Sequence, residues 1–208
     1  MTALRATAPA IARALDALAR TRHARRPGAP LVLIDGLSGA GKSTLAAALA
    51  PPGGPWRVLG LDSYYPGWDG LEEGSRETAR IARDLAAGRD THYTPWDWEA
   101  GRPLAPVLLP AGIPTVIEGC GALTPASRAS ADLAVWVEAG GGADQRRARA
   151  LARDGDVYAP HWHRWAAQDG AGSAGARSVG WYILAVLIGV PTLGVATILT
   201  LLITDPQG

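Results

Sequence analysis

The chain has 208 residues, with 20 Lys and Arg against 19 Asp and Glu, a formal net charge of +1. That length suits one α/β domain with a sizeable core, or one domain plus an appendage, and the near-zero charge speaks against bulk electrostatic binding of nucleic acid. The single cysteine, Cys120, excludes an internal disulfide framework and fits a reducing compartment.

Residues 3 to 20 place Leu4, Ile11, Leu15 and Leu18 at roughly helical spacing between arginines, which predicts an amphipathic helix within residues 1–26. The same stretch lacks a continuous apolar run, so no secretory signal is expected. "LVLID" (31–35) reads as a buried parallel strand. A glycine loop follows, then a helix over 43–50 that "PPGGP" ends. "RVLGLD" (57–62) is a second strand, "SRETARIARDLAAG" (75–88) a helix, "PTVIEG" (114–119) and "DLAVWVEA" (132–139) two more strands, and "ADQRRARALARDG" (143–155) an arginine-rich helix. Strands alternating with helices predict a parallel sheet with helices on both faces, spanning residues 27–170.

Gly36, Gly41, Lys42 and Ser43 satisfy the spacing G-x-x-x-x-G-K-[ST], between an apolar strand and a helix. Backbone N–H groups in such a loop converge on phosphate oxygens, and the following helix adds its positive dipole end. Lys42 is the only lysine beside nineteen arginines. A compact ammonium can follow the β and γ phosphates where arginine's planar fork fits poorly. Gly36, Ser38, Gly39, Ala40, Gly41, Lys42, Ser43 and Thr44 are therefore the expected nucleotide contacts. The loop is read as exposed, so Lys42→Ala is expected to abolish ATP binding and leave the fold intact.

Asp62 ends the second strand, at the carboxyl edge where open α/β sheets bind ligands. It can accept a proton from an attacking hydroxyl, help to hold Mg²⁺, or simply form a turn. Glu118 ends the third strand at the same edge and suits a Mg²⁺ ligand, or a solvated strand end. Arg146, Arg149 and Arg153 stand at i, i+3 and i+7 on one helix face, either a lid over a transferring phosphoryl group or a solvated basic face.

"GLSGAGKST", "LDSYYPGWDGL", "VIEG" and "RRARALARDG" together resemble a uridine kinase-like P-loop kinase, and more closely the actinobacterial uridine kinase-like ATP-binding proteins, over roughly residues 28 to 168. The resemblance implies a P-loop NTPase fold, ATP and Mg²⁺ as cofactors, and transfer of the ATP γ-phosphate to a hydroxyl of a nucleoside-like small molecule. It implies Asp62 as general base, with Lys42, Arg149 and Arg153 at the transferring phosphoryl group and Arg146 on the nucleotide. It also implies Ser43, Asp62 and Glu118 around Mg²⁺, and Tyr64, Tyr65 and Trp96 as substrate contacts. A sugar-type metabolite kinase, and a catalytically weak or inactive nucleotide-binding protein tethered to a membrane, are the alternatives.

The aromatic clusters "THYTPWDWEAGRP" (91–103) and "YAPHWHRWAAQ" (158–168) suit either a stacking pocket or core filling. His161 and His163 lack the further ligands of a zinc site.

The kinase-like pattern stops near Gln168, without the family's last strand. The small-residue stretch "GAGSAGA" (170–176) reads as a linker, assigned to residues 171–177. Residues 178–204 then run for 27 residues without a charge. As a helix, residues 181–203 would span about 34 Å, enough for a hydrocarbon core of about 30 Å. Trp181 and Tyr182 would form an interfacial belt, Arg177 and Asp205 would flank the run, and Pro191 would interrupt it tolerably. The expectation is one transmembrane helix holding the domain on the cytoplasmic face of the membrane. The competing reading buries this segment in the domain, in place of the missing strand.

Overall fold

A computed structural model describes residues 2–23, 27–139, 141–178, 183–188 and 198–203. In chain order the elements are β1 (Thr2–Thr7), α1 (Ala8–His23), β2 (Leu31–Asp35), α2 (Lys42–Leu49), β3 (Arg57–Gly60), a 3₁₀ turn (Leu61–Ser63) and α3 (Leu71–Ala86). The short strands β4 (Thr91–Tyr93), β5 (Trp96–Asp97), β6 (Arg102–Pro103) and β7 (Val107–Leu109) follow. Then come β8 (Thr115–Glu118), α4 (Pro125–Arg128), β9 (Leu133–Ala139), α5 (Gly142–Tyr158), α6 (Trp162–Ser178), β10 (Ile183–Ile188) and β11 (Ile198–Ile203).

The main sheet has seven strands in the order β1-β11-β10-β9-β2-β8-β3. Neighbours from β10 through β3 pair in parallel, while β11 runs antiparallel to both β10 and β1. Residues 31–35 are buried on both sides, which is why this strand reads as a continuous apolar run rather than an alternating one. The period of two is still at work beneath it. Leu31 and Leu33 pack with Ile81, Leu85 and Ile117 on one face. Val32 and Ile34 pack with Leu15, Leu45, Leu49, Val116 and Val135 on the other. Helix α3 presents Leu71, Ser75, Thr78, Ile81, Ala82 and Leu85 to the core, the three- and four-residue spacing of an amphipathic helix.

Parallel register fixes the site. Val32 faces Val116 and Ile34 faces Glu118 across β2 and β8, and Gly60 faces Glu118 across β3 and β8. Asp35, Glu118 and the turn bearing Asp62 therefore leave the sheet at one carboxyl edge, beside the loop that precedes α2.

Three expectations at the chain's ends are corrected. Thr2–Thr7 is a strand, and the N-terminal helix begins only at Ala8. Residues 171–177 form no irregular linker but continue α6 to Ser178. The apolar run is not one membrane-spanning helix: Ile183–Ile188 pairs in parallel with β9, and Ile198–Ile203 folds back against it. β10 extends the parallel sheet beyond β9. The edge of a parallel sheet offers an extended segment backbone partners, and β-branched Ile and Val favour the extended form. Among the described residues no helix is long and apolar enough to cross a membrane. Trp181, Tyr182 and Pro191 lie outside the described residues.

Candidate active site

The loop between β2 and α2 wraps closely against its neighbours. Gly36 has φ 151°, and a Cβ there would stand 2.3 Å from the Val137 carbonyl oxygen. Gly39 has φ 74°, and its Cβ would stand 2.2 Å from the carbonyl oxygen of Arg146. Both conformations and both approaches require glycine.

Lys42 is only 7% exposed. Its Nζ donates to the carbonyls of Gly36 at 2.7 Å and Leu37 at 3.2 Å, and to Cys120 Sγ at 3.2 Å. Burial works against its charge, but Cys120, Asp169, Asp35 and Glu118 outweigh it and hold the ammonium's pKa above its ordinary value. The expectation of an exposed lysine is thus corrected: the loop folds over the side chain, which is part of the interior.

Asp35 is the buried counterpart. Its carboxyl accepts N–H bonds from Gly36 at 2.6 Å, Gly121 at 3.0 Å and Leu123 at 2.8 Å, joining the glycine loop to the segment after β8. Burial pushes its pKa up to about 7 against the pull of the Leu123 N–H and Lys42. Burial likewise raises Glu118, against Lys42 and the hydrogen-bonded Ser43 hydroxyl. The Cys120 thiol is pushed up to about 12 by burial, so near neutrality it is no thiolate.

A cavity of about 370 Å³ opens at this edge. It is lined by the loop residues Ser38, Gly39, Lys42 and Ser43, by Asp62, Glu118 and Arg153, and by Tyr65, Trp68, Trp98, Val157, Tyr158 and Trp165. Asp62 is exposed to it. Its Oδ1 and the Oε1 of Glu118 lie 2.5 and 3.8 Å from where a Cβ on Gly60 would be, so the two carboxylates flank one glycine. The Trp98 indole donates to the Asp62 carbonyl at 2.8 Å and ties the turn to the β5–β6 hairpin.

The expected residues divide. Lys42, Ser38, Gly39, Ser43, Asp62, Glu118, Arg153 and Tyr65 come together around the cavity. Arg153 is paired in a fork with Asp154, both bonds 2.6 Å. Arg149 donates to the Gly39 carbonyl at 2.9 Å. Arg146 instead borders a separate hollow of about 120 Å³ with Leu37, Ala40 and Val137. The three arginines share a helix face, but that helix crosses the loop apex, so they fall at different sides of it. Tyr64 is 5% exposed with its hydroxyl on Thr78 at 2.7 Å, a core position away from the cavity. Trp96 does not border the cavity; Trp98, two residues on, does. Gly36, Gly41, Ala40 and Thr44 shape the loop and the start of α2 without bordering the cavity.

Sequence reasoning gave no site role to Asp35, Cys120, Trp68 and Asp169, and left Tyr158 open between stacking and core filling. Asp35 was legible as an acid ending an apolar strand directly before the loop. For Asp169 and Tyr158 no local signal gives the contact with Ser38, because long-range folding alone brings α5 and α6 onto the loop. Helix α5 breaks at Gly155, with φ 62° and ψ −145°, and this turns Tyr158 inward. Its hydroxyl meets Ser38 Oγ at 3.0 Å. Trp68 stacks on His161 with ring centroids 4.3 Å apart and 14° between planes, so that histidine is an aromatic-cluster member.

Among solved structures, the chain resembles one from Silicibacter sp. TM1040, provisionally named a fructose transport system kinase. The TM-score is 0.55 and the identity 24%, covering 84% of this chain and 94% of that one. It also matches a structure from Bacillus stearothermophilus, provisionally named a uridine kinase, with TM-score 0.45 and 22% identity over 72% of this chain and 91% of that one. The first likeness shows the fold, an α/β domain built on a parallel sheet. No family model and no curated protein matches the sequence.

Proposed function

We propose that this protein is an ATP- and Mg²⁺-dependent kinase that transfers the γ-phosphate to a hydroxyl of a nucleoside-like small molecule. One observation carries the reading. A single cavity is lined by the glycine loop with its lysine, by an exposed carboxylate and a second, buried one, and by aromatic side chains. The donor set fits the cofactor. The loop supplies N–H groups and Lys42, and Ser43 with Glu118 and Asp62 supplies the oxygen ligands that Mg²⁺ prefers. The bound metal would neutralise charge on the phosphates. In this reading Asp62 would take the proton of an acceptor hydroxyl, and Arg153, freed from its fork with Asp154, would bring positive charge to the phosphates. The aromatic side chains Trp68, Trp98 and Trp165 that line the cavity would give an acceptor apolar contact.

A sugar-type acceptor is the second reading, favoured by the fold likeness to the kinase named for fructose transport. Turnover of Mg·ATP by the full chain against uridine, cytidine, fructose and other hexoses separates the two. Asp62→Asn is expected to lower transfer by about 10²- to 10⁴-fold, as loss of a general base does, while ATP affinity stays within about threefold. Undiminished transfer by Asp62→Asn would remove the base, and no ATP binding at all would remove the kinase reading.

A further inference from the structure

The phosphate loop already holds an anion. The Ser38 N–H donates to Asp169 Oδ2 at 2.7 Å, across 131 residues of sequence. Asp169 lies on α6 and is only 6% exposed. Burying a carboxylate is costly unless it is paired and hydrogen-bonded. Here its partners are the loop amide, the Cys120 thiol and the nearby charge of Lys42. Ser38, Lys42 and Cys120 all border the cavity. The acid thus offers the loop part of what a phosphate offers, an anionic oxygen for the Ser38 N–H and a negative charge near Lys42.

The neighbouring contacts show that this is a built arrangement. The Ser38 hydroxyl receives the Tyr158 hydroxyl at 3.0 Å, and Arg149 reaches the Gly39 carbonyl at 2.9 Å. Two consecutive loop residues are therefore held by α5 and α6 at three points, and Asp169 supplies the one that is negatively charged.

We propose that Asp169 is a resident anion of the nucleotide site: it holds the loop open in phosphate-binding shape and yields the Ser38 N–H and its share of Lys42 when nucleotide enters. The inference rests on the nucleotide reading above. It gives α6 a part in binding that the loop motif does not contain. Filling the site releases the acid, so loop and helix respond to nucleotide together.

The test uses the full chain. Asp169→Asn keeps an acceptor oxygen for Ser38 but removes the charge that opposes phosphate. By calorimetric titration it is expected to bind Mg·ATP about fivefold tighter than the parent, the size of a partly screened like-charge repulsion, with a smaller gain for Mg·ADP. Lys42→Ala, run alongside, checks the nucleotide reading separately. If the parent binds and Lys42→Ala does not, that reading stands, and unchanged or weaker binding by a folded Asp169→Asn overturns the inference alone. In the unaltered protein, the ¹⁵N-resolved Ser38 amide should shift on saturation with Mg·ATP as it leaves the carboxylate. An unmoved resonance at saturation overturns the inference even if the variant does not fold, and a parent that binds no ATP overturns both.

Discussion

Replacing Lys42 by alanine tests the site and the interior together. The substitution strips a donor from the Gly36 carbonyl at 2.7 Å and the Leu37 carbonyl at 3.2 Å. It also removes the cation from among Asp35, Glu118 and Asp169. A hydrogen bond to a charged group contributes about 1.5–3 kcal/mol, and breaking up a buried charge set costs about 3–5 kcal/mol. The adjoining cavity lets water replace part of the loss, so about 2–3 kcal/mol of stability should disappear. For a chain of this size that corresponds to a fall of roughly 4–12 °C in melting temperature. The effect on ATP is larger. An ammonium about 4 Å from a phosphate charge gains about 4 kcal/mol at an effective dielectric of ~20. Allowing for water access, affinity should drop at least about a hundredfold. Titration calorimetry with Mg·ATP and a thermal melt of the same samples measure both. Parent-like affinity would refute the phosphate cradle, and an unchanged melt would refute the interior role of the lysine.

Three further outcomes follow from the geometry. Gly39→Ala should lower ATP affinity by about tenfold or more and cost about 2 kcal/mol, since a left-handed backbone and a backbone oxygen 2.2 Å from the new Cβ both oppose it; parent-like titrations and melts would contradict this. Asp35, Glu118 and Asp169 all have raised pKa values, so the folded chain binds their protons more tightly than the unfolded one. Stability should therefore be greatest below about pH 4 with respect to these groups and fall as pH rises through about 7; urea midpoints across that range measure the slope, which should flatten in Asp35→Asn. Ending the chain at Ser178 removes the parallel partner of β9. It should lower the melting temperature by about 10 °C or more, or cause aggregation through the bared strand edge. A truncated protein as stable as the parent would show that β10 contributes nothing.

The phosphate loop, the parallel strands and the alternating helices were legible because their causes are local. Glycine spacing, a run of β-branched and leucine residues, and an acid at each strand end depend on residues within a few positions of one another. Lys42, Ser43, Asp62 and Glu118 converge because parallel register carries every strand's carboxyl end to one edge. What composition could not decide was where 27 uncharged residues go. Hydropathy measures only the gain on leaving water, which a bilayer and a sheet edge satisfy equally. Only the tertiary structure shows β9 with an unpaired side for β10 to fill. The same holds for Asp169 and Tyr158. Their partner Ser38 is more than a hundred residues away, and the meeting depends on the break at Gly155 and the course of α6, quantities set by packing and carried by no motif.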